Sequence, residues 1–443
     1  MGQRFSLPSL TSPVQSAGPT GRVESLDIII VGAGLGGLAA SIECARSGHN
    51  VTVLESASEL AEIGAGLQIT PNSSRLLKGW GVYEKLQSQA VEPKSLLVHR
   101  YSGKILAKED EFDKHMKEKY GSPFSDVHRV DLQQALVARA RELGVVLRLG
   151  QRVESLDLDS VRARISTSSG QEYTCDLVVG ADGLWSKCRE CFLGRKDQPL
   201  PTGDLAYRIV LRLDQIKDPD LREMVTNPSV HFWVGPGAHV VAYSLKGGTM
   251  YNIVLLVPDD LPESVARQPG SVEEMKKLFQ GWDPVLTRFL ECVDKVDKWK
   301  LMHRESPKQS GDSCHPMLPY LAQGANSALE DGAVLGKVLS GVRPGSSLPR
   351  ALKVFQRVRK TRGEAIVRET FKQRESFHMP DGPEQVARDE LFLSKLGKEI
   401  DCAFPSRWTC PEVQPWLYGY DAWKEADSAL RDCGGVESAA MRL

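Results

Sequence analysis

Residues 26–31 form a short apolar run, rich in branched side chains (Asp27–Val31 reads DIIIV), and a glycine-rich segment, Gly32-Ala33-Gly34-Leu35-Gly36-Gly37, follows at once. Such a run fits a strand buried on both faces. Apolar positions then recur at helical spacing over residues 38–47, Gly48 ends the pattern, and residues 51–54 are again strand-like before Glu55. Helical periodicity returns over 74–86 and 132–143, and Asp131 with Gln134 has the form of a capping box. Residues 145–180 read as short strands joined by Ser168-Ser169-Gly170, a small meander. Between 203 and 302 the pattern alternates over 205–213, 239–245 and 251–257, interrupted by Gly235-Pro236-Gly237 and Gly247-Gly248, which predicts an antiparallel sheet. Long helices are predicted at 325–340 and 348–374. The rest is irregular and helical, with Trp408, Trp416, Tyr418 and Tyr420 suited to packing on the remainder or on a second subunit.

The order strand, GxGxxG, helix, strand, acid is the dinucleotide-binding fingerprint. Gly32 permits the tight turn, Gly34 lets the backbone approach a pyrophosphate, and Gly37 lets helix and strand pack closely. Glu55 stands where ribose hydroxyls need an acceptor, and its charge disfavours a 2′-phosphate. A second strand, residues 177–179, ends in Gly180-Ala181-Asp182-Gly183. A third segment, residues 311–332, reads GDSCHPMLPYLAQGANSALEDG and opens a helix after Gln323-Gly324-Ala325-Asn326. Unpaired N–H groups at a helix start suit an anionic or electron-rich ring edge, and Asp312 before it suits a polyol. Both properties fit a flavin nucleotide.

Together GAGLGG, IGAGLQITPNS, HRVDLQQAL, VVGADGLWSKCR, GDSCHPMLPYLAQGANSALEDGAVLG and YGYDAWKEA resemble the class A flavoprotein monooxygenases, over about residues 27–425. This is the family of p-hydroxybenzoate and salicylate hydroxylases, and the fungal branch acting on phenolic polyketides is most similar. The resemblance implies an α/β fold, a Rossmann-type FAD-binding domain with an inserted antiparallel β-sheet substrate domain and a helical C-terminal region. The expected division is a disordered tail (1–26), the FAD-binding domain in two parts (27–202 and 303–375), the substrate sheet (203–302) and a helical cap (376–443).

The implied reaction is hydroxylation of a phenolic aromatic through a C4a-hydroperoxyflavin, with FAD resident, NADH or NADPH as transient reductant and O₂ as co-substrate. Gly66 would lie against the flavin, Arg129 would reach the cofactor, and Asp182 and Asp312 would bind it. Pro319 would line the ring, with backbone groups of Gly324, Ala325 and Asn326 at its pyrimidine edge. A phenol attacks electrophilic oxygen best as its phenolate, so the pocket needs a cation or a base. Arg208, on an apolar strand, and the pair His239 and Tyr243, four apart on another, are the candidates. Tyr243 would hydrogen-bond the substrate oxygen and His239 would relay its proton.

The 443 residues, 41% hydrophobic and 26% charged with net charge −1, describe an ordinary globular chain with no footprint for nucleic acid. No run approaches the ~20 apolar residues of a membrane span, and the first 25 residues have no apolar core of a signal peptide. Met1-Gly2 fits a myristoylation pattern. The nine cysteines are scattered, and Cys188 with Cys191 lacks the complementary pair a zinc site needs. A cytoplasmic enzyme, monomeric or homodimeric, without metal, is expected. A flavin disulfide reductase would need a cysteine pair near the flavin, where only Cys44 stands, and a flavin halogenase would carry WxWxIP, which is absent.

One segment departs from the family. Residues 304–310, RESPKQS, carry no apolar side chain except proline where a buried strand should precede Gly311, with 298–302 read as the preceding edge strand. A deleted strand, leaving an impaired FAD-protein remnant or a mis-spliced chain, is therefore the alternative expectation.

Overall fold

The computed structural model describes residues 25–60, 65–304, 317–342, 348–398 and 404–440. The segment preceding Gly311, Asp312 itself and the N-terminal tail lie outside them.

Asp27–Val31 is the centre of a four-stranded parallel sheet, between Leu177–Gly180 on one side and Asn50–Leu54, then Val146–Arg148, on the other. Ile28 and Ile30 are fully buried, as a central parallel strand requires. Helix Leu35–Arg46 leaves the first strand and packs along helix Gln323–Leu339. The approach is made possible by small residues four apart on the second helix, Ala328, Gly332 and Gly336. A Cβ at Gly332 would lie 2.5 Å from the Ala40 nitrogen, and one at Gly336 2.5 Å from the Glu43 carbonyl carbon. This contact seats the start of the later helix beside the glycine loop, although nearly 300 residues separate them.

The second large element is an eight-stranded sheet, in the order Arg267–Gly270, Val296–His303, Leu200–Arg212, Met250–Pro258, Ala238–Leu245, Ser229–Gly235, Ser95–Arg100, Ile105–Asp110. All neighbours are antiparallel except Ser95–Arg100, which runs parallel to Ser229–Gly235. Two of its strands thus come from before residue 203. Val296–His303 is not an edge strand as the sequence suggested, because Arg267–Gly270 pairs outside it. Leu205, Tyr207, Ile209, Leu211, Ile253 and Leu255 fill one face, over helices Pro219–Thr226, Val272–Leu278 and Pro284–Glu291. The opposite face turns to the nucleotide-binding part.

A three-stranded meander (Val153–Asp157, Ala163–Thr167, Glu172–Cys175) and a hairpin-like pair (Gly66–Ile69 with Ser125–His128) complete the sheets. Helix Leu348–Phe377 runs about 45 Å and anchors the C-terminal region through one buried carboxylate. Arg359 and Arg362 lie 2.7 and 2.8 Å from Glu330, which also accepts from Asn72 at 2.7 Å. Burial opposes the Glu330 charge, but Arg362 and Arg359 outweigh it and hold the carboxyl below its ordinary range. Trp408 and Tyr418 are buried within the chain, whereas Trp416 is partly exposed.

Three helices begin earlier than their hydrophobic pattern implied, at Leu35, Arg129 and Gln323. The predicted capping box is overturned as a result. His128 occupies the cap position, and Asp131, now inside the first turn, binds Lys246 at 2.7 Å.

Candidate active site

The glycine loop is held by backbone geometry. Gly32 has φ +106°, and a Cβ there would collide with the Ala181 carbonyl. At Gly37 a Cβ would overlap the Gly32 carbonyl oxygen. Gly34 differs: its φ of −69° is ordinary, and a Cβ there would meet nothing within 4 Å. Its open side belongs to a cavity of about 910 Å³ that Arg129, Leu67, Gly324 and Ala325 also line. Glu55 folds over the loop, accepting from the Ala33 and Ala57 N–H groups at 2.8 Å each. The loop, Arg129 and the start of helix Gln323–Leu339 therefore meet at one cavity, with Glu55 bonded to the loop behind it.

That helix start has no side-chain cap, and Ala322 before it takes a left-handed conformation (φ 52°). Its first N–H groups, Gly324 and Ala325 among them, stay available to a ligand. The Asn326 side chain is occupied structurally: it accepts from the Thr70 N–H at 3.1 Å and donates to the Gln68 carbonyl at 2.9 Å. Pro319, exposed, starts the short turn just before. Both Asp182 oxygens serve helix Lys187–Leu193, accepting from the Lys187 and Cys188 N–H groups (2.7 and 2.9 Å) and the Ser186 hydroxyl (2.5 Å). The structure gives Asp182 the work of a helix cap.

Strand alternation places Arg208, Val254, Asn252, Val241, Tyr243, His239, Asp297 and Trp299 on the face of the large sheet turned toward the nucleotide part. Gly66 lies against this face. Its N–H donates to the Asn252 side chain at 2.9 Å, and a Cβ there would stand 2.6 Å from the Tyr243 ring and 2.7 Å from its hydroxyl. Tyr243 is buried, and its hydroxyl makes no hydrogen bond among the described residues. Burial raises its pKa far above the ordinary phenol value; the Asp126 charge adds to this and Arg208 opposes it.

Arg208 is half-buried and stacks over Trp299 at 4.9 Å. No carboxylate among the described residues lies within 4 Å of it. Burial lowers its pKa, and the like charge of Arg129 adds to the effect.

His239 is not brought to Tyr243. Four residues along a strand is about 13 Å, and His239 instead bonds His378 at 2.7 Å beside Tyr320 and Phe377. Burial, then the neighbouring His378, keep it neutral. The expected proton relay has no geometric basis.

Asn252, Trp299 and Asp126 were not singled out from sequence. Asn252 had a signal, since it is a lone polar side chain in an apolar strand, MYNIVLLVP. Asp126 is fully buried, accepts from Gln68 at 3.0 Å, and burial pushes its carboxyl well above the usual range.

Residues 25–370 match the family model described as an FAD binding domain. The chain is 53% identical over 420 residues to the FAD-dependent monooxygenase OpS4 of Beauveria bassiana, covering 92% of this chain and 98% of that one. The chain belongs to the FAD-dependent monooxygenases. It is 31% identical over 405 residues to a 3-hydroxybenzoate 6-hydroxylase of Polaromonas naphthalenivorans (89% and 96% covered). The fold matches that of a salicylate hydroxylase substrate complex with a TM-score of 0.73 at 21% identity, covering 91% of this chain and 98% of that one.

The monooxygenase therefore carries FAD as its cofactor, and the open side of Gly34, the uncapped helix start and the cavity between them fit that group. Relatives that align over nearly their whole length do not favour the remnant reading. Among the described residues no helix is long and apolar enough to cross a membrane, and no cluster of His, Cys, Asp and Glu could hold a metal.

Proposed function

We propose that this monooxygenase hydroxylates a phenolic aromatic, a salicylate-like acid or an aromatic polyketide, bound as its anion, using NADH or NADPH as reductant. The observation that carries the reading is Arg208: a half-buried guanidinium with no carboxylate within 4 Å among the described residues, on the same face as a tyrosine hydroxyl with no hydrogen-bond partner among them. An unpaired buried charge is costly, so the site is built for an anion that arrives with the substrate. The named activity of the 3-hydroxybenzoate 6-hydroxylase relative agrees with such a substrate.

When bound and reduced by NAD(P)H, FAD would activate O₂, one oxygen atom of which enters the aromatic while the other leaves as water. The chain's own residues hold the aromatic and set its charge. Gly34, Glu55, Arg129 and the N–H groups of Gly324, Ala325 and Asn326 would hold the cofactor, with Gly66 and Pro319 beside its ring, and Asp312, outside the described residues, is the acid expected for its polyol chain. Arg208 stabilises the phenolate over the phenol. With its own pKa raised, Tyr243 keeps its proton and donates a hydrogen bond to the substrate oxygen, acting as an orienting donor and not as the base. Asn252 and Gly66 fix the Tyr243 ring in place.

A panel of hydroxybenzoates and acylated phenols, each scored for NAD(P)H oxidised, product formed and peroxide released, tests the proposal. Phenols with an acidic hydroxyl or a carboxylate should stimulate oxidation with product in wild type. Arg208→Gln should release the electrons mainly as peroxide. Stimulation by neutral, non-phenolic aromatics alone would remove the proposal.

A further inference from the structure

Arg208 has a carboxylate directly opposite it. In the antiparallel ladder between Leu200–Arg212 and Val296–His303, Arg208 faces Asp297. Opposed residues carry their side chains on the same face with Cβ atoms about 5 Å apart, close enough for an Arg–Asp pair. The pair does not form. Asp297 binds Arg267 of the neighbouring strand at 2.9 Å, while Arg208 stacks on Trp299.

The arrangement extends across three strands. Arg267 lies opposite Trp299 and stacks on it at 4.3 Å, so the indole is flanked by two guanidiniums, at 4.3 and 4.9 Å. Arg267 and Asp297 are each roughly 40% exposed, so the pair gains little stability by itself. Its effect lies in where it leaves the Asp297 charge. The like charges of Arg129 and Arg267 both bear on Arg208.

We propose that Arg267 is a positioning residue for the substrate's anion: by holding Asp297, it leaves Arg208 as the unpaired cation of the pocket, with Trp299 as the shelf that fixes both guanidiniums. The proposal rests on the reading of Arg208 as the anion-binding group. Without Arg267, Asp297 turns to the guanidinium it already faces, and an anionic ligand must displace it.

The test uses the FAD-loaded enzyme titrated with 3-hydroxybenzoate, followed by flavin absorbance, together with a crystal structure of Arg267→Met. Methionine keeps apolar cover on Trp299 and removes the charge. Arg267→Met should weaken 3-hydroxybenzoate binding about two- to fivefold and raise KM with little change in kcat. Asp297→Asn should bind as wild type does, and the double variant should recover wild-type binding, which a merely structural role for Arg267 would not produce.

Arg208→Gln separates the two levels. If that variant keeps the wild-type preference for the anion, or if wild type itself shows none, the reading of Arg208 fails. If Arg208→Gln weakens binding and Arg267→Met does not, only the role of Arg267 fails. In the crystal structure, an Asp297 carboxylate within hydrogen-bond distance of Arg208 is the expected result. One still remote from Arg208 overturns the inference whatever the titration shows.

Discussion

The nucleotide end and the substrate end of this monooxygenase are specified in opposite ways. Around the glycine loop, function depends on side chains that are missing: Gly32 and Gly37 sit where a Cβ would strike backbone, and Gly34 opens on the cavity. On the large sheet, the proposed function depends on side chains that are present but find no carboxylate or hydrogen-bond partner among the described residues, Arg208 and the Tyr243 hydroxyl. A missing side chain is recorded in local spacing. A missing partner can be recognised only when every neighbour is known, and those neighbours come from distant strands.

The glycines allow the first half of the comparison to be broken most severely. Gly37→Val should abolish folding, because the added atoms overlap the Gly32 carbonyl and overpacking against fixed backbone cannot relax. Gly34→Val should leave a soluble, folded protein that has lost the flavin absorbance, since its backbone is unstrained and its open side faces the cavity. Circular dichroism with flavin absorbance reads both. A yellow Gly34→Val protein would show that the pyrophosphate lies elsewhere.

A smaller effect is expected at the joint between the two ends. Glu330→Gln leaves Arg359 and Arg362 buried without their carboxylate, which should cost about 3–5 kcal/mol. Chemical denaturation measures it. A change within the error of the extrapolation would mean that Asp331, Tyr420 and the Trp416 and Leu417 carbonyls suffice to hold the two arginines.

The substrate end responds in rate more than in stability. Arg208→Gln removes a charge-assisted contact worth about 1.5–3 kcal/mol, so kcat/KM for hydroxylation should fall about 10- to 150-fold. The melting temperature should hold, because Arg208 has no carboxylate partner among the described residues to lose. A folded variant with wild-type yield of product per NAD(P)H would remove Arg208 from the mechanism.

The dependence of stability on pH is a separate effect. Burial pushes His231 down to about 3 and His378 to about 4, and holds His239 neutral too. The unfolded chain binds protons near pH 6.5 that the folded chain refuses, so this stability is complete above about pH 6.5. It is lost as pH falls toward the folded values, at up to roughly 1.4 kcal/mol per pH unit for each histidine. Thermal melts between pH 7.5 and 5 should show the decline, and His378→Gln should flatten it. Equal melting temperatures across that range would mean the histidines are not sealed from solvent.

Legibility in sequence follows the same division. The order strand, glycine turn, helix, strand, acid sits within 30 residues, and the parallel pairing of Asp27–Val31 with Asn50–Leu54 follows from it. Helix starts were placed late because Gly36, Gly37 and Gly324 have poor helix propensity; tertiary packing keeps them in the first turns regardless. The eight-stranded sheet was only half legible, since Ser95–Arg100 joins it beside Ser229–Gly235, more than a hundred residues later. His239 and Tyr243 share a face, as their spacing implied, but a strand extends that spacing too far for a relay. The diversion of Asp297 from Arg208 to Arg267 involves three strands, and no local pattern reports it.

The claim most central to this account is that the pocket favours the ionised phenol, and the ultraviolet spectrum of a bound phenolic ligand tests it directly. With a hydroxybenzoate or acylated phenol of the stimulating class, held about one pH unit below its free hydroxyl pKa, wild-type enzyme should show the phenolate band on binding. Arg208→Gln should bind it as the neutral phenol, and Tyr243→Phe should need a higher pH for the same ionised fraction. A wild-type complex containing neutral phenol, with turnover intact, would contradict the account.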